Sequence, residues 1–231
     1  MNGILRLVGS VPEAFAALAA DIVLGAGDDG CSLVLSGGGT AVECYQALAT
    51  RTDLPWSTVD IFLGDERCVP PDDPDSNHRM IVHTLLDVVG PVRGDHPMYT
   101  AGSPEAAAAA YQDLLAGRPR PDLVHLGLGP DGHTASLFPG SAPLEDTDPH
   151  HLVVANTDPL GINPHPRVTL TYPGIARAAQ VVLTVAGGAK RDALARIHAG
   201  EDLPGGRVTG DHVVWLVDAD ALGDIVPDEV G

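Results

Sequence analysis

Leu123-Val124-His125-Leu126-Gly127-Leu128-Gly129-Pro130-Asp131-Gly132-His133-Thr134-Ala135-Ser136-Leu137-Phe138-Pro139 reads as a strand, a turn and a carboxylate–imidazole pair in immediate succession. Leu123 to Leu126 is a short apolar run bounded by turn residues, the mark of a buried strand. The glycines and Pro130 then force a tight turn. Thr134-Ala135-Ser136-Leu137 is expected to begin a helix. Asp131 and His133 therefore belong where a strand ends and a helix starts, at the carboxyl edge of a sheet. That edge is where open α/β sheets bind ligands. A carboxylate two residues before an imidazole, on a rigid turn, suits general-base chemistry.

The chain on either side is built from similar units. Ile4 to Val8 is expected as a first strand, followed by a helix that Pro12 opens. Ser32 to Leu35 reads as a strand, Ser36-Gly37-Gly38-Gly39-Thr40 as a turn, and Ala41 to Thr50 as a helix. Val59 to Leu63 is the next strand, ending at Gly64-Asp65-Glu66-Arg67. Ser76 or Asn77 is placed to cap a helix running to Val89, and Ser103-Pro104 to start one through Leu115. Short strands are expected at His96 to Thr100 and Leu152 to Val154. Further strands are expected at Arg167 to Thr171, Gln180 to Val185 and Val213 to Val217, with a helix from Lys190 to His198. Strands alternating with helices predict an α/β fold, its sheet mostly parallel and covered by helices on both faces. With no long linker or repeat, residues 1–231 are expected to form a single domain.

Composition narrows the partners. Apolar residues make up 44% of the chain and aromatic ones only 4%, so the core should be aliphatic. A formal net charge of −18 argues against nucleic acid or an anionic membrane as the main partner. An anionic substrate would need a local basic pocket working against that field. No apolar stretch approaches the ~20 residues of a membrane span, and Met1 to Gly9 lacks the pattern of a signal peptide. The three cysteines are odd in number and widely spaced, neither a disulfide framework nor a zinc knuckle, which fits a reduced, cytoplasmic compartment.

Other motifs sharpen the chemistry. A triple glycine directly before a helix lets backbone N–H groups approach an anion, so Ser36 to Thr40 is a candidate phosphate loop. It is not a Walker A loop, since no Gly-Lys-Ser/Thr follows. Lys190, after Gly187-Gly188 at a strand-to-helix turn, offers a second anion contact. Gly127, Gly129 and Gly132 match G-x-G-x-x-G formally, but lie past mid-chain and enclose Pro130 and Asp131, unlike a dinucleotide fingerprint. Asp72, Asp73, Asp75 and Asn77 lack the glycine and glutamate of a calcium loop. His150, His151 and His165 lack metal-ligand spacing.

Together these pieces resemble the family shared by 6-phosphogluconolactonases and glucosamine-6-phosphate deaminases/isomerases. The matching segments are Leu35 to Thr40, Gly64 to Pro70 with Ser76-Asn77, Gly127 to Pro139, Pro164 to Thr171, Gly187 to Lys190 and Leu203 to Val208. The run Gly129 to Pro139 is the most specific. The resemblance implies a Rossmann-like, NagB-type topology and hydrolysis of 6-phospho-D-glucono-1,5-lactone in the oxidative pentose phosphate pathway, with no metal and no organic cofactor. His133 would be the general base, Asp131 its neighbour, and Arg67 would hold or polarise the substrate. Ser36, Gly37, Gly38, Gly39, Thr40, Arg167 and Lys190 would surround the phosphate, with Asp65 also on the substrate.

Two alternative readings are an aldose-6-phosphate deaminase or isomerase and a non-catalytic sugar-phosphate sensor. A sensor has no need of His133. The deaminases carry a Glu five residues after their motif His, and this chain has Phe138 there. An apolar ring cannot supply the acid–base help that deamination with ring opening requires. The protein is therefore expected to release no ammonia from glucosamine 6-phosphate. Steady release above a no-enzyme control would restore the deaminase reading.

Overall fold

The computed structural model describes residues 1–231. Its strands are β1 (Ile4–Leu7), β2 (Cys31–Leu35), β3 (Val59–Leu63), β4 (Asp65–Arg67), β5 (Gly94–His96), β6 (Leu123–Gly127), β7 (Val153–Asn156), β8 (Arg167–Leu170), β9 (Gln180–Val185), β10 (Val213–Val217) and β11 (Glu229–Val230). Eight of them form one sheet in the order β11-β1-β10-β9-β6-β2-β3-β5, every pair parallel. β3 and β10 are buried at every position, as strands covered on both faces must be. The fold is thus α/β, with a mostly parallel sheet flanked by helices. No helix is long and apolar enough to cross a membrane.

Local chemistry sets the helix starts. Ser10 accepts from Glu13 N to cap Val11–Ala26, and Ser103 accepts from Ala106 N to cap Pro104–Ala116. Both have Pro in the first turn, where its missing N–H is no loss. Ser76 accepts from Arg79 N at the start of the helix over 77–89. The core is largely aliphatic, with Phe15, Tyr45, Phe138 and Trp215 its large, fully buried rings.

Four local expectations are corrected. Thr134 to Leu137 is not a helix start but a tight turn: Leu137 N donates to Thr134 O at 2.9 Å and Ala135 takes a left-handed φ of 46°. Ser136 N, which a helix would use, donates instead to Thr169 Oγ1 at 3.1 Å. The strand expected over His96–Thr100 lies at Gly94–His96, because Pro97 has no N–H to extend the ladder. The strand expected at Leu152–Val154 begins and ends later, at Val153–Asn156. Finally, β8 leaves the main sheet and joins β4 and β7 in a small antiparallel sheet, order β4-β8-β7. Gly64 links the two layers: its N–H donates to Leu35 O and its carbonyl accepts from Leu170 N, each at 2.8 Å.

One buried polar group sits in the middle of the main sheet. His125 on β6 has no exposed surface, and the Phe15 ring packs against its ring, tilted by 34°, at 4.2 Å. Burial pushes its imidazole down to about 3, whereas the unfolded chain takes up that proton near pH ~6.5. Because the folded value lies below the unfolded one, stability is complete above pH ~6.5 and is lost as pH falls from there towards 3. The slope is up to about 1.4 kcal/mol per pH unit. Denaturant unfolding at pH 7, 6 and 5 should therefore show a shallower acid loss in His125→Asn than in the wild type. Parallel curves for the two proteins would contradict this.

Candidate active site

β6 delivers its turn to the carboxyl edge of the sheet. The turn is closed by Gly129 N donating to His133 O at 2.8 Å and Gly132 N donating to Gly129 O at 3.0 Å. A side chain at Gly129 would overlap His133 Nδ1 and Asp131 Oδ1, so glycine there allows the pair to meet. His133 Nδ1 lies 2.6 Å from Asp131 Oδ1, which also accepts from His133 N at 3.2 Å. Burial acts to raise the Asp131 carboxyl, but the bond to His133 and its charge outweigh it, and the net shift is downward. An ionised carboxylate only accepts, so Nδ1 carries a proton, and in the neutral form of the imidazole Nε2 holds the lone pair. The Phe138 ring packs against the imidazole, centroid to centroid 5.3 Å.

The cavity in front of His133 is lined by Ser36, Gly37, Gly38, Asp65, Arg67, Asn77, Gly127, Leu128, Gly129, Pro130, Ala135, Ser136, Phe138, Asn163, Arg167 and Lys190. Three cations meet there in a chain of strongly negative net charge. In the small sheet, Arg67 stands directly opposite Arg167. Like charges so paired destabilise a sheet. Arg167 is only 5% exposed, and its Nε and Nη1 have no partner in the protein. Burial pushes its guanidinium down from the ordinary value, with Asp65 opposing. Ser36 Oγ is also buried and unpartnered. Burial likewise lowers the Lys190 ammonium, against the pull of Asp131. Unpaired buried charge costs several kcal/mol, and these groups line one cavity, where an anion would lower that cost.

Carboxylates hold the wall in place. Asp65 accepts from Ser136 Oγ at 2.5 Å and from Asn77 Nδ2 at 3.3 Å. Asn77 Nδ2 also donates to Asp65 O at 2.9 Å, and its Oδ1 fills the space a side chain at Gly37 would take. Glu66 is buried and accepts from Arg67 N, Asn77 N, Ser76 Oγ and His78 N. Burial raises its carboxyl, and the backbone donors offset part of that rise. Arg67 Nη1 donates to Asp75 O at 2.5 Å, which fixes its direction.

Of the residues singled out from sequence, Ser36, Gly37, Gly38, Asp65, Arg67, His133, Arg167 and Lys190 share this cavity. Asp131 stands behind His133 rather than on the wall. Gly39 and Thr40 lie one step away, as the first residues of the helix Gly39–Ala49. Sequence reading missed Ser136 and Asn163 as wall residues and gave Asn77 no place in the site beyond a helix cap and a matching segment. Ser136 and Asn77 stand inside the matching segments, which was the available signal; Asn163 has none. No group of three or more His, Cys, Asp or Glu is placed to hold a metal ion.

The 6-phosphogluconolactonase of Synechocystis is 45% identical over 183 residues, covering 75% of this chain and 73% of that one. The crystal structure of 6-phosphogluconolactonase from Thermotoga maritima superposes with a TM-score of 0.81 at 31% identity, covering 92% of this chain and 99% of that one. A monomeric glucosamine-6-phosphate deaminase matches in fold alone, with a TM-score of 0.78 at 20% identity, covering 94% of this chain and 98% of that one. The family described as glucosamine-6-phosphate isomerases/6-phosphogluconolactonase matches residues 6–215, and this chain belongs to it.

Proposed function

We propose that this protein hydrolyses 6-phospho-D-glucono-1,5-lactone to 6-phospho-D-gluconate, a step of the oxidative pentose phosphate pathway, with His133 as general base. The observation that carries the reading is the buried, unpartnered Arg167 in the same cavity as the free Nε2 of His133. It is supported by the names of the relatives at this level of identity. Phe138 against the imidazole favours the lactonase over the deaminase reading, because no carboxylate stands there.

The phosphate rests between Arg167, Lys190 and Ser36. The lactone carbonyl then lies towards His133, on the Arg67 side. Nε2 takes a proton from water as the water oxygen bonds to the carbonyl carbon. The resulting oxyanion is stabilised by Arg67. As it collapses, the bond from that carbon to the ring oxygen breaks, and Nε2 returns the proton to the ring oxygen. Asp131 keeps the proton on Nδ1 throughout and stabilises the transient imidazolium. General acid–base help of this kind is worth about 10²–10⁴-fold.

A lactonase assay on freshly generated lactone, with the spontaneous opening subtracted, tests the reading; a rate no higher than the enzyme-free one would end it. Arg167→Ala and Lys190→Ala should each raise KM and weaken 6-phosphogluconate, since each removes a charge-assisted contact worth roughly 1.5–3 kcal/mol. Wild-type KM and inhibition constants in both variants would mean the phosphate sits elsewhere. Gly129→Ala should lower kcat by about 10²-fold through displacement of the imidazole, while 6-phosphogluconate still binds. An unchanged kcat would show that the tight approach of the turn to His133 is not needed.

A further inference from the structure

Behind the cavity runs a buried hydrogen-bonded chain that the reaction above does not use. Thr184 Oγ1 lies 2.8 Å from His125 Nε2, and His125 Nδ1 lies 2.8 Å from Tyr45 Oη. Tyr45 Oη accepts from Ser36 N at 2.7 Å and donates to Ser36 O at 3.0 Å. A phenol has one proton. Since Tyr45 gives it to Ser36 O, Nδ1 must be the protonated nitrogen of His125, and Nε2 accepts from Thr184. Every group is then satisfied in one direction, from β9 through β6 to the end of β2. Ser36, Tyr45, His125 and Thr184 are 3%, 0%, 0% and 2% exposed.

Apolar side chains would fill this volume without the cost of burying a phenol and an imidazole. What the polar chain adds is direction: it grips both backbone groups of the residue whose own Oγ is buried and unpartnered in the cavity. It also ties that residue to strands that carry the other walls. His125 stands two residues before Gly127, and Thr184 three residues before Gly187 and the Lys190 turn. Ser36 lines the cavity, and Tyr45 and His125 do not.

We infer that Tyr45 and His125 are positioning residues for phosphate recognition, holding the Ser36 backbone so that Oγ and the adjoining glycine turn meet the substrate phosphate. The inference rests on the reading given under Proposed function.

The test is binding of 6-phosphogluconate by calorimetry, with KM, kcat and thermal unfolding, in Tyr45→Phe, His125→Leu, His125→Asn and Thr184→Val. Tyr45→Phe and His125→Leu should each weaken 6-phosphogluconate and raise KM about tenfold, the upper worth of one hydrogen bond, and leave kcat within about threefold of wild type. His125→Asn, whose amide replaces Nδ1 but not Nε2, should recover most of the affinity. Lower melting temperatures with unchanged affinity and KM would mean a merely structural role and overturn the inference. Should Tyr45→Phe fail to fold, Thr184→Val decides: it removes one distant hydroxyl and should weaken binding about threefold, and unchanged affinity there would overturn the inference as well. Wild-type protein that neither binds 6-phosphogluconate nor opens the lactone would instead defeat the underlying reading. Wild-type binding with unshifted variants defeats the positioning role alone.

Discussion

A buried guanidinium without a partner, facing a second arginine across two paired strands, is the constraint around which this site is built. Left alone, Arg167 and Arg67 would repel each other and Arg167 would hold two unsatisfied donors in the protein. The small antiparallel sheet keeps them there despite that cost. Its strands are pinned by Gly64 to the main sheet and by Glu66 to the helix that begins at Asn77. The large parallel sheet supplies the stability against which this local strain is carried. An anion relieves it, so ligand binding and stability are linked: phosphate ligands should favour the folded state.

On the other wall the logic is reversed. His133 is fully provided with neighbours on one side, Asp131 at Nδ1 and Phe138 against the ring, and left open at Nε2. The approach of Asp131 to His133 requires Gly129 to have no side chain. The proposed reaction divides two tasks over the site: Arg67 on β4, Arg167 on β8 and Lys190 in the turn after β9 would hold the substrate, and the turn after β6 would carry the base.

Much of this was legible in the sequence because its signals are local. β2, β3, β6, β9 and β10 are apolar runs bounded by turn residues, and Pro12, Ser76 and Ser103 announce their helices. The turn at Thr134 was not legible, because the acceptor that takes Ser136 N away from a helix is Thr169, on β8. The second sheet was hidden for the same reason: Asp65-Glu66-Arg67 has no alternation of its own and becomes a strand only by pairing with Arg167–Thr169. In the site, the glycine turn at Ser36–Thr40 and Lys190 could be named as anion contacts from their strand-to-helix positions, and Arg67 and Arg167 through the family resemblance. Asn163 could not, since only the course of the loop around it brings it to the cavity. The Ser36–Tyr45–His125–Thr184 chain was equally invisible, spread over four elements and looking in sequence like ordinary core residues.

In the proposed reaction Nε2 of His133 moves the proton while binding rests on other groups. The most direct measurement is the pH dependence of kcat for wild type and His133→Gln, with spontaneous opening subtracted at every pH. Glutamine keeps polarity and similar bulk but offers no usable base. If Nε2 is the base, the wild type shows an acid limb that the variant loses, kcat falls by about 10²–10⁴-fold, and the affinity for 6-phosphogluconate is unchanged. A His133→Gln protein that kept most of the wild-type kcat, with its acid limb intact, would contradict it.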